Sequence, residues 1–462
     1  MGIVKIMSKD LKPFMFGNLG GVKRLYIRTG LHLTGLVGLS LGVASLGNWI
    51  LSSYFKINIP GTLMYKGDDG WCRPDIEGIG VHCFGDFNER LSPSEYDQWT
   101  VYPNNLETSP IGPFITSLAN LAATLTSPRL TLILFYIISI GLLTYPFVNA
   151  SKSWYWPNRL LAVGFFGLAS YPTLVLLDRL NYLVFAVPVL YMLFKKMLLG
   201  NLESYIIPIL LLTAIKPQFG ILSLIFLFRK KHFLFLKVLL MQFLTLFILI
   251  VGAGLGDLRR VYEYVRVLGG YGAFIWDVTT LNPPNAAFTK ILYLFVSETN
   301  VIVRGNFDLT GEVSNLILTL VGGFSMLVLL YLLKLRSSNL ADLEMSICLI
   351  VIGLFGFGNY VATYYLIFTV PIIAIFLLQS QFFLDSKGKL DPGINMGLNK
   401  ASGTWVTAIV LSSSCVVLPP LSNGFTTLPN SNVLPTIVPT LATLFWFLYI
   451  TKVLRQPMAE KS

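Results

Sequence analysis

The sequence predicts an all-α, polytopic membrane protein, and three observations carry that expectation. The chain of 462 residues is 54% hydrophobic and 12% charged, about half the charged fraction of a soluble domain, with a mean hydropathy of +0.68. Apolar runs recur along the chain, each broken by a few charges, which reads as many membrane spans rather than one large core. The runs do not alternate, as the strands of a membrane barrel would.

Residues 1–30 carry Lys5, Lys9, Lys12, Lys23, Arg24 and Arg28 ahead of the first apolar run and hold no small-residue cleavage site. They read as a retained cytoplasmic tail. The net charge of +11 lacks a long basic block or a soluble domain to carry one, so nucleic acid is not an expected partner. The basic residues set topology instead.

The first span is expected at 31–55, leading out to a long polar loop, 56–129. Its stretch 67–113 holds nine of the 23 acidic residues, two of the four cysteines and two of the eight tryptophans. Residues 114–125 are too short to cross the roughly 30 Å hydrocarbon core, and read as an amphipathic segment at the outer interface. Spans then follow at 130–148, 160–175, 182–194, 205–215, 218–228 and 233–255. A second outer loop, 256–314, contains another short interfacial segment at 286–296. Further spans are expected at 315–333, 345–358 and 366–378, then a cytoplasmic loop at 379–403 and two last spans, 404–418 and 434–450, within the C-terminal region 404–462.

This gives about twelve spans with both termini inside. On this map 22 of the 34 Lys and Arg lie inside and 12 outside, and the 23 acids divide seven inside and 16 outside. The basic excess is what the orientation rule requires.

The candidate chemistry lies at the outer face. Asp86, in HCFGDFN, is flanked by Phe84 and Phe87; partial desolvation there raises a carboxylate's pKa toward that of a usable base. The same residue also reads as a turn aspartate after Gly85. Asp68 and Asp69, followed by Gly70, form either a turn or an acid pair facing substrate. His82 beside Cys83 lacks the spaced partners of a zinc site, so no metal is expected, and His82 stands as a substrate-binding candidate. Cys72 and Cys83 are candidates for a disulfide if the loop faces an oxidising compartment, subject to a geometry that spacing does not fix. Cys348 and Cys415 fall inside apolar runs and read as packing residues.

At the outer ends of spans stand Asp178-Arg179 with Asn181, and Lys216 in AIKPQF. Ionisable groups deep in apolar context default to functional hypotheses; the plainer reading is a local ion pair and a snorkelling lysine. Arg259, Arg260 and Arg266 place cations outside, against the orientation bias, where an anionic lipid phosphate would be their partner. The chain carries no Walker loop, dinucleotide fingerprint or HExxH, and GFSML at Gly323 is no nucleophile elbow. A nucleotide-driven machine is therefore not expected.

Taken in order, these pieces resemble the membrane glycosyltransferases of the GT-C superfamily, and most closely glycosyltransferase family 87 (the DUF2029 family). That family opens with a span and an outer loop holding a catalytic aspartate in a D-[FY] context, matched by Gly85-Asp86-Phe87. A Tyr-Pro-Pro turn follows, matched by Tyr102-Pro103-Asn104. A polar step is matched by Asp178-Arg179-Leu180-Asn181, and a Lys-Pro end by Ala214-Ile215-Lys216-Pro217 before the basic cluster Arg229, Lys230 and Lys231. Asn282-Pro283-Pro284-Asn285 echoes an Asn-rich step, and Tyr364-Tyr365 a late aromatic or histidine pair. The pattern covers roughly residues 31–378. Asn104 replaces the second proline, Arg179 the usual Gln, and tyrosine the late His.

The resemblance implies a GT-C-like catalytic core at 31–378, with outer loops 56–129 and 256–314 forming the site. It implies transfer of a sugar, mannose or arabinofuranose, from a polyprenyl-phosphate donor to a cell-envelope glycolipid or polysaccharide on the outer leaflet of the plasma membrane, with inversion and no further cofactor. Asp86 would be the general base. Lys216, Arg179 and the second-loop arginines would hold the donor phosphate, with Tyr102, Asn285, Tyr364 and Tyr365 also at the substrate. Two other classes stay open: a lipid or polysaccharide transporter or flippase, which needs polar groups at the bilayer midplane, and a structural partner in an envelope-synthesis complex, in which Asp86 would be dispensable.

Overall fold

The computed structural model describes residues 109–152, 162–168, 180–199, 201–253 and 339–353, a strand pair within 100–106, and isolated positions such as Phe87 and Phe368. The described residues are helical apart from turns and β1 (Thr100–Tyr102) and β2 (Asn105–Leu106), a short antiparallel pair in the first polar loop. The predicted span at 31–55 and the interfacial segment at 286–296 lie outside the described residues; the spans at 315–333, 404–418 and 434–450 lie outside them or touch them at isolated positions, and 366–378 is described in part.

Helix α1 (Gly112–Leu125) begins with Pro113 in its first turn, where the missing N–H costs nothing. Phe114, Leu118, Leu121 and Leu125 form an exposed apolar stripe along it, while Ala119 is buried. This is the amphipathic helix expected at 114–125. Ser127 then caps α2 (Pro128–Ala150) by accepting the Leu130 N–H at 3.2 Å, with Pro128 at the first helical position, a strong start signal. At 23 residues, α2 is about 34 Å long, enough to cross a membrane.

A π-helical stretch, Ala162–Leu168, packs on α2. Gly167 allows the approach: a Cβ there would lie 3.1 Å from Phe147 Cδ2. A 3₁₀ turn (Tyr182–Phe185) leads into α3 (Ala186–Leu199). Its described side chains from Ala186 to Met197 are buried or half-buried all round, so α3 is the central helix, packed against α2, α4 (Ile206–Ile215) and α7 (Asn339–Val351).

A helical hairpin follows. Its first arm is a 3₁₀ turn, Leu202–Tyr205, continuing into α4. Its second is a 3₁₀ helix, Pro217–Ser223, continuing into α5 (Leu224–Phe228). At 2.0 Å per 3₁₀ residue and 1.5 Å per α residue, the arms measure about 23 and 22 Å. Helix α6 (His232–Ala253) has 22 residues and runs for about 33 Å beside them. Only 17% of its apolar window is buried inside the protein. Phe233, Leu236, Leu240, Phe243 and Ile248 lie exposed along it, a continuous apolar surface suited to lipid rather than water. Among the described residues, helices α2 and α6 are the two long and apolar enough to span a membrane.

The hydrogen bonds define two ends. At one, Asn149 at the end of α2 accepts from Tyr191 (3.0 Å) and Lys195 (3.2 Å) of α3, and Tyr205 reaches the Met197 carbonyl. The hairpin base and the start of α7 also lie here. At the other lie the start of α1 and the hairpin tip. Close to them, Phe114 Cζ stands 3.4 Å from where a Cβ would sit on Gly252, near the end of α6.

Candidate functional site: the Lys216 turn

Lys216 is where the first arm of the hairpin stops. As the residue before Pro217 it is pushed out of the helical region and takes an extended backbone, φ −148° and ψ 116°. Its N–H still closes the helix on Leu212 O at 2.8 Å, and its own carbonyl accepts from Phe219 N at 3.0 Å to start the 3₁₀ helix. Lys216 is half-buried and sits at the negative end of the α4 dipole, a position that favours a cation.

The last carbonyls of a helix have no intrahelical partner. Two of those in α4 are taken by the end of the first polar loop. Ser109 Oγ donates to Ile215 O at 2.7 Å, and Ile111 N to Ala214 O at 3.2 Å. Ser109 is 2% exposed. The loop that contains Asp86 in sequence is therefore fastened to the Lys216 turn.

Gln242, halfway along α6 and buried, holds the tip from the other side. Its Nε2 donates to Thr213 Oγ1 at 3.1 Å and to Gly220 O at 3.4 Å. Thr213 and Gly220 lie on either arm, so one amide ties both. Phe219 is buried against Phe368, ring centroids 4.9 Å apart and edge-to-face.

The base of the hairpin is tied by Asp342 in the first turn of α7. Arg229 Nε hydrogen-bonds Asp342 Oδ2 at 3.1 Å while lying 2.9 Å from Oδ1, and Tyr205 OH donates to Oδ2 at 3.2 Å. Asp342 is 1% exposed. It precedes the apolar run 345–358; burial pushes its carboxyl above the usual carboxylate range, against the opposing pull of Arg229 and of the Tyr205 hydrogen bond. Ser346 Oγ donates to the Asp342 carbonyl at 2.6 Å.

Of the candidate site residues named from the sequence, the structure describes four. Lys216 is at the tip. Asn181 is buried, and its Oδ1 accepts the Leu183 N–H at 2.9 Å, capping the 3₁₀ turn. Arg259 is helical and exposed, and Tyr102 belongs to β1. Asp86, His82, Asp68, Asp69, Asp178, Arg179, Arg260, Arg266, Asn285, Tyr364, Tyr365, Cys72 and Cys83 lie outside the described residues. Phe87, next to Asp86, is buried and stacks on Phe135, which in turn meets Phe185 edge-to-face at 6.1 Å.

Leu180, just before Asn181, has φ +52°. Its N–H bonds Leu177 O at 3.2 Å and Asn181 N bonds Leu176 O at 3.3 Å, the Schellman helix ending, normally built on glycine. Lys230 repeats it: φ +56°, with Lys230 N on Leu227 O and Lys231 N on Phe226 O, both 2.8 Å.

Three residues escaped the sequence reading: Ser109, Gln242 and Asp342. Gln242 carries a signal, a lone amide inside an apolar helix. Asp342 carries a weaker one, an acid at the start of an apolar run. Ser109 carries none. Among the described residues no group of three or more His, Cys, Asp or Glu side chains is placed to hold a metal ion. No family model matches the chain, and no curated protein or solved structure shows significant similarity to it.

Proposed function

We propose that this chain is an integral membrane glycosyltransferase of the GT-C type, resembling family 87. It passes mannose or arabinofuranose from a polyprenyl-phosphate to a glycolipid or polysaccharide acceptor at the outer leaflet. The observation that carries this reading is the pair of bonds from Ser109 and Ile111 to Ile215 and Ala214. They fasten the end of the polar loop, which carries the candidate base Asp86 earlier in its sequence, to the turn with the candidate phosphate ligand, Lys216, and so support this reading.

In the reaction the acceptor hydroxyl oxygen attacks the anomeric carbon from the face opposite the phosphate. Asp86 takes the hydroxyl proton, the carbon–oxygen bond to phosphate breaks, and the configuration inverts. Polyprenyl phosphate leaves with the bonding electrons, and Lys216 stabilises its charge. The orientation rests on charge: Lys152 follows the end of α2, Lys195 and Lys196 lie near the end of α3, and Lys230 and Lys231 follow α5, which supports a cytoplasmic side at that end. The twelve-span topology with both termini inside follows from the same rule, and the plasma membrane is the location.

A transporter or flippase for a lipid or polysaccharide is the second reading. It is favoured by the broken helix pair at Lys216-Pro217, since discontinuous helices mark transporter sites. Membranes containing the protein, a labelled polyprenyl-phosphate sugar and envelope acceptor separate the two. The Asp86→Asn variant is expected to lose transfer while keeping its fold and donor binding, and Lys216→Ala to raise the apparent donor KM. Full transfer by Asp86→Asn removes the enzyme assignment. Movement of labelled lipid across proteoliposomes without acceptor supports the transporter.

A further inference from the structure

We propose that Asp342 is a positioning residue: a clasp that holds the two arms of the hairpin at 202–231 as one body and so fixes where its tip, Lys216, sits. The inference concerns conformation and does not depend on the reaction assigned above. It rests on three relationships. Each arm is about 22 Å long, shorter than the α6 helix beside it, so the tip stops within the depth that α6 crosses. Gln242, at the middle of α6, binds the tip region at Thr213 and Gly220. The base has its own fastening: Tyr205 ends the 3₁₀ turn that opens the first arm, Arg229 follows the second, and one carboxylate from a segment 113 to 137 residues further on binds both.

A buried ion pair is often replaceable by apolar packing with no loss of stability, so a general stabilising role would not single out these two partners. Asp342 touches the hairpin at its two ends, and its backbone is pinned within α7 by Ser346. With the clasp intact, the arms cannot separate without breaking a bond to a buried charge. Without it, the arms keep the tie that Gln242 makes at the tip.

The test is amide hydrogen exchange, followed by mass spectrometry, on the full chain in lipid nanodiscs. In Asp342→Asn, exchange across 202–231 is expected to rise about tenfold or more, the factor for losing a hydrogen bond to a charge, with α2 unchanged. Tyr205→Phe, which keeps the Asp342–Arg229 pair, is expected to give a smaller rise in the same region. Unchanged exchange across 202–231 in either variant overturns the proposal, as does a rise of equal size in α2, which would mark general destabilisation. Should Asp342→Asn not fold, Tyr205→Phe decides alone on the same criteria.

Discussion

Phe87 stacks on Phe135 with ring centroids 4.2 Å apart and planes only 7° from parallel. Residue 87 belongs to the polar loop by sequence and to the core by position, at 2% exposure. Truncating a buried phenylalanine removes its transfer energy and leaves a cavity, so Phe87→Ala is expected to cost about 3–5 kcal/mol. Phe87→Leu should cost distinctly less. Denaturant titrations in detergent check both; an Ala variant as stable as the parent would mean that the stack does not anchor the loop.

Ser109→Ala removes one hydrogen bond and leaves the Ile215 carbonyl without that donor. The expected loss is about 1 kcal/mol, with faster proteolysis of the 67–113 loop. Limited proteolysis is the sharper readout, because it reports the fastening itself. A cleavage rate equal to the parent's would show that Ile111 suffices.

Gln242→Leu leaves Thr213 and the Gly220 carbonyl without their amide partner in a buried setting. We expect a loss of about 1–3 kcal/mol. Adding Thr213→Val should recover part of it, since removing both partners costs less than removing one. The thermodynamic cycle through the two single variants measures this, and strict additivity would exclude the coupling.

The two helix endings built on non-glycine residues should answer oppositely to glycine. Lys230 is exposed, so Lys230→Gly relieves a left-handed backbone at little other expense and is expected to stabilise by about 1 kcal/mol. Leu180 is 1% exposed, and Leu180→Gly should destabilise by about 2–5 kcal/mol through lost core packing. Melting temperatures of the pair settle the contrast.

Asp342 supplies a pH dependence with a definite sign. Its folded pKa is raised by burial, so the folded state binds a proton more tightly than the unfolded chain. The proton-linked part of its contribution is then fully present below the unfolded carboxyl pKa, near 4, and is lost as pH rises through the higher folded value, while the bonds to Arg229 and Tyr205 remain. The melting temperature of the parent minus that of Asp342→Asn should therefore increase from pH 7 toward pH 4. A difference that shrinks over that window would mean that the Arg229 pairing outweighs desolvation.

The helices were legible where apolar length and end signals agreed. Ser127-Pro128 marks the start of α2, and the runs at 182–194 and 233–255 fall on α3 and α6 within a few residues. Where polar residues interrupt a run the boundary moves: α7 begins at Asn339, six residues before the apolar stretch 345–358, because Asp342 is buried by partners distant in sequence. The 3₁₀ geometry of 217–223 was not readable, since Pro217 announces a break without dictating the helix type beyond it. Lys216 stood out as a Lys-Pro step, but nothing local announces that Ser109 covers the carbonyl beside it. Pattern reports which segments want burial and stays silent on which of them meet.

The clasp also has a consequence for biosynthesis. Arg229 and Asp342 are separated by 113 residues, so a ribosome adding about 5–20 residues per second needs roughly 6–23 s to deliver the carboxylate after the guanidinium. Throughout that interval the hairpin exists without its counter-ion. The newborn chain must keep Arg229 hydrated or paired with headgroups, and the last step in seating Lys216 is reserved for a helix made long after the turn itself.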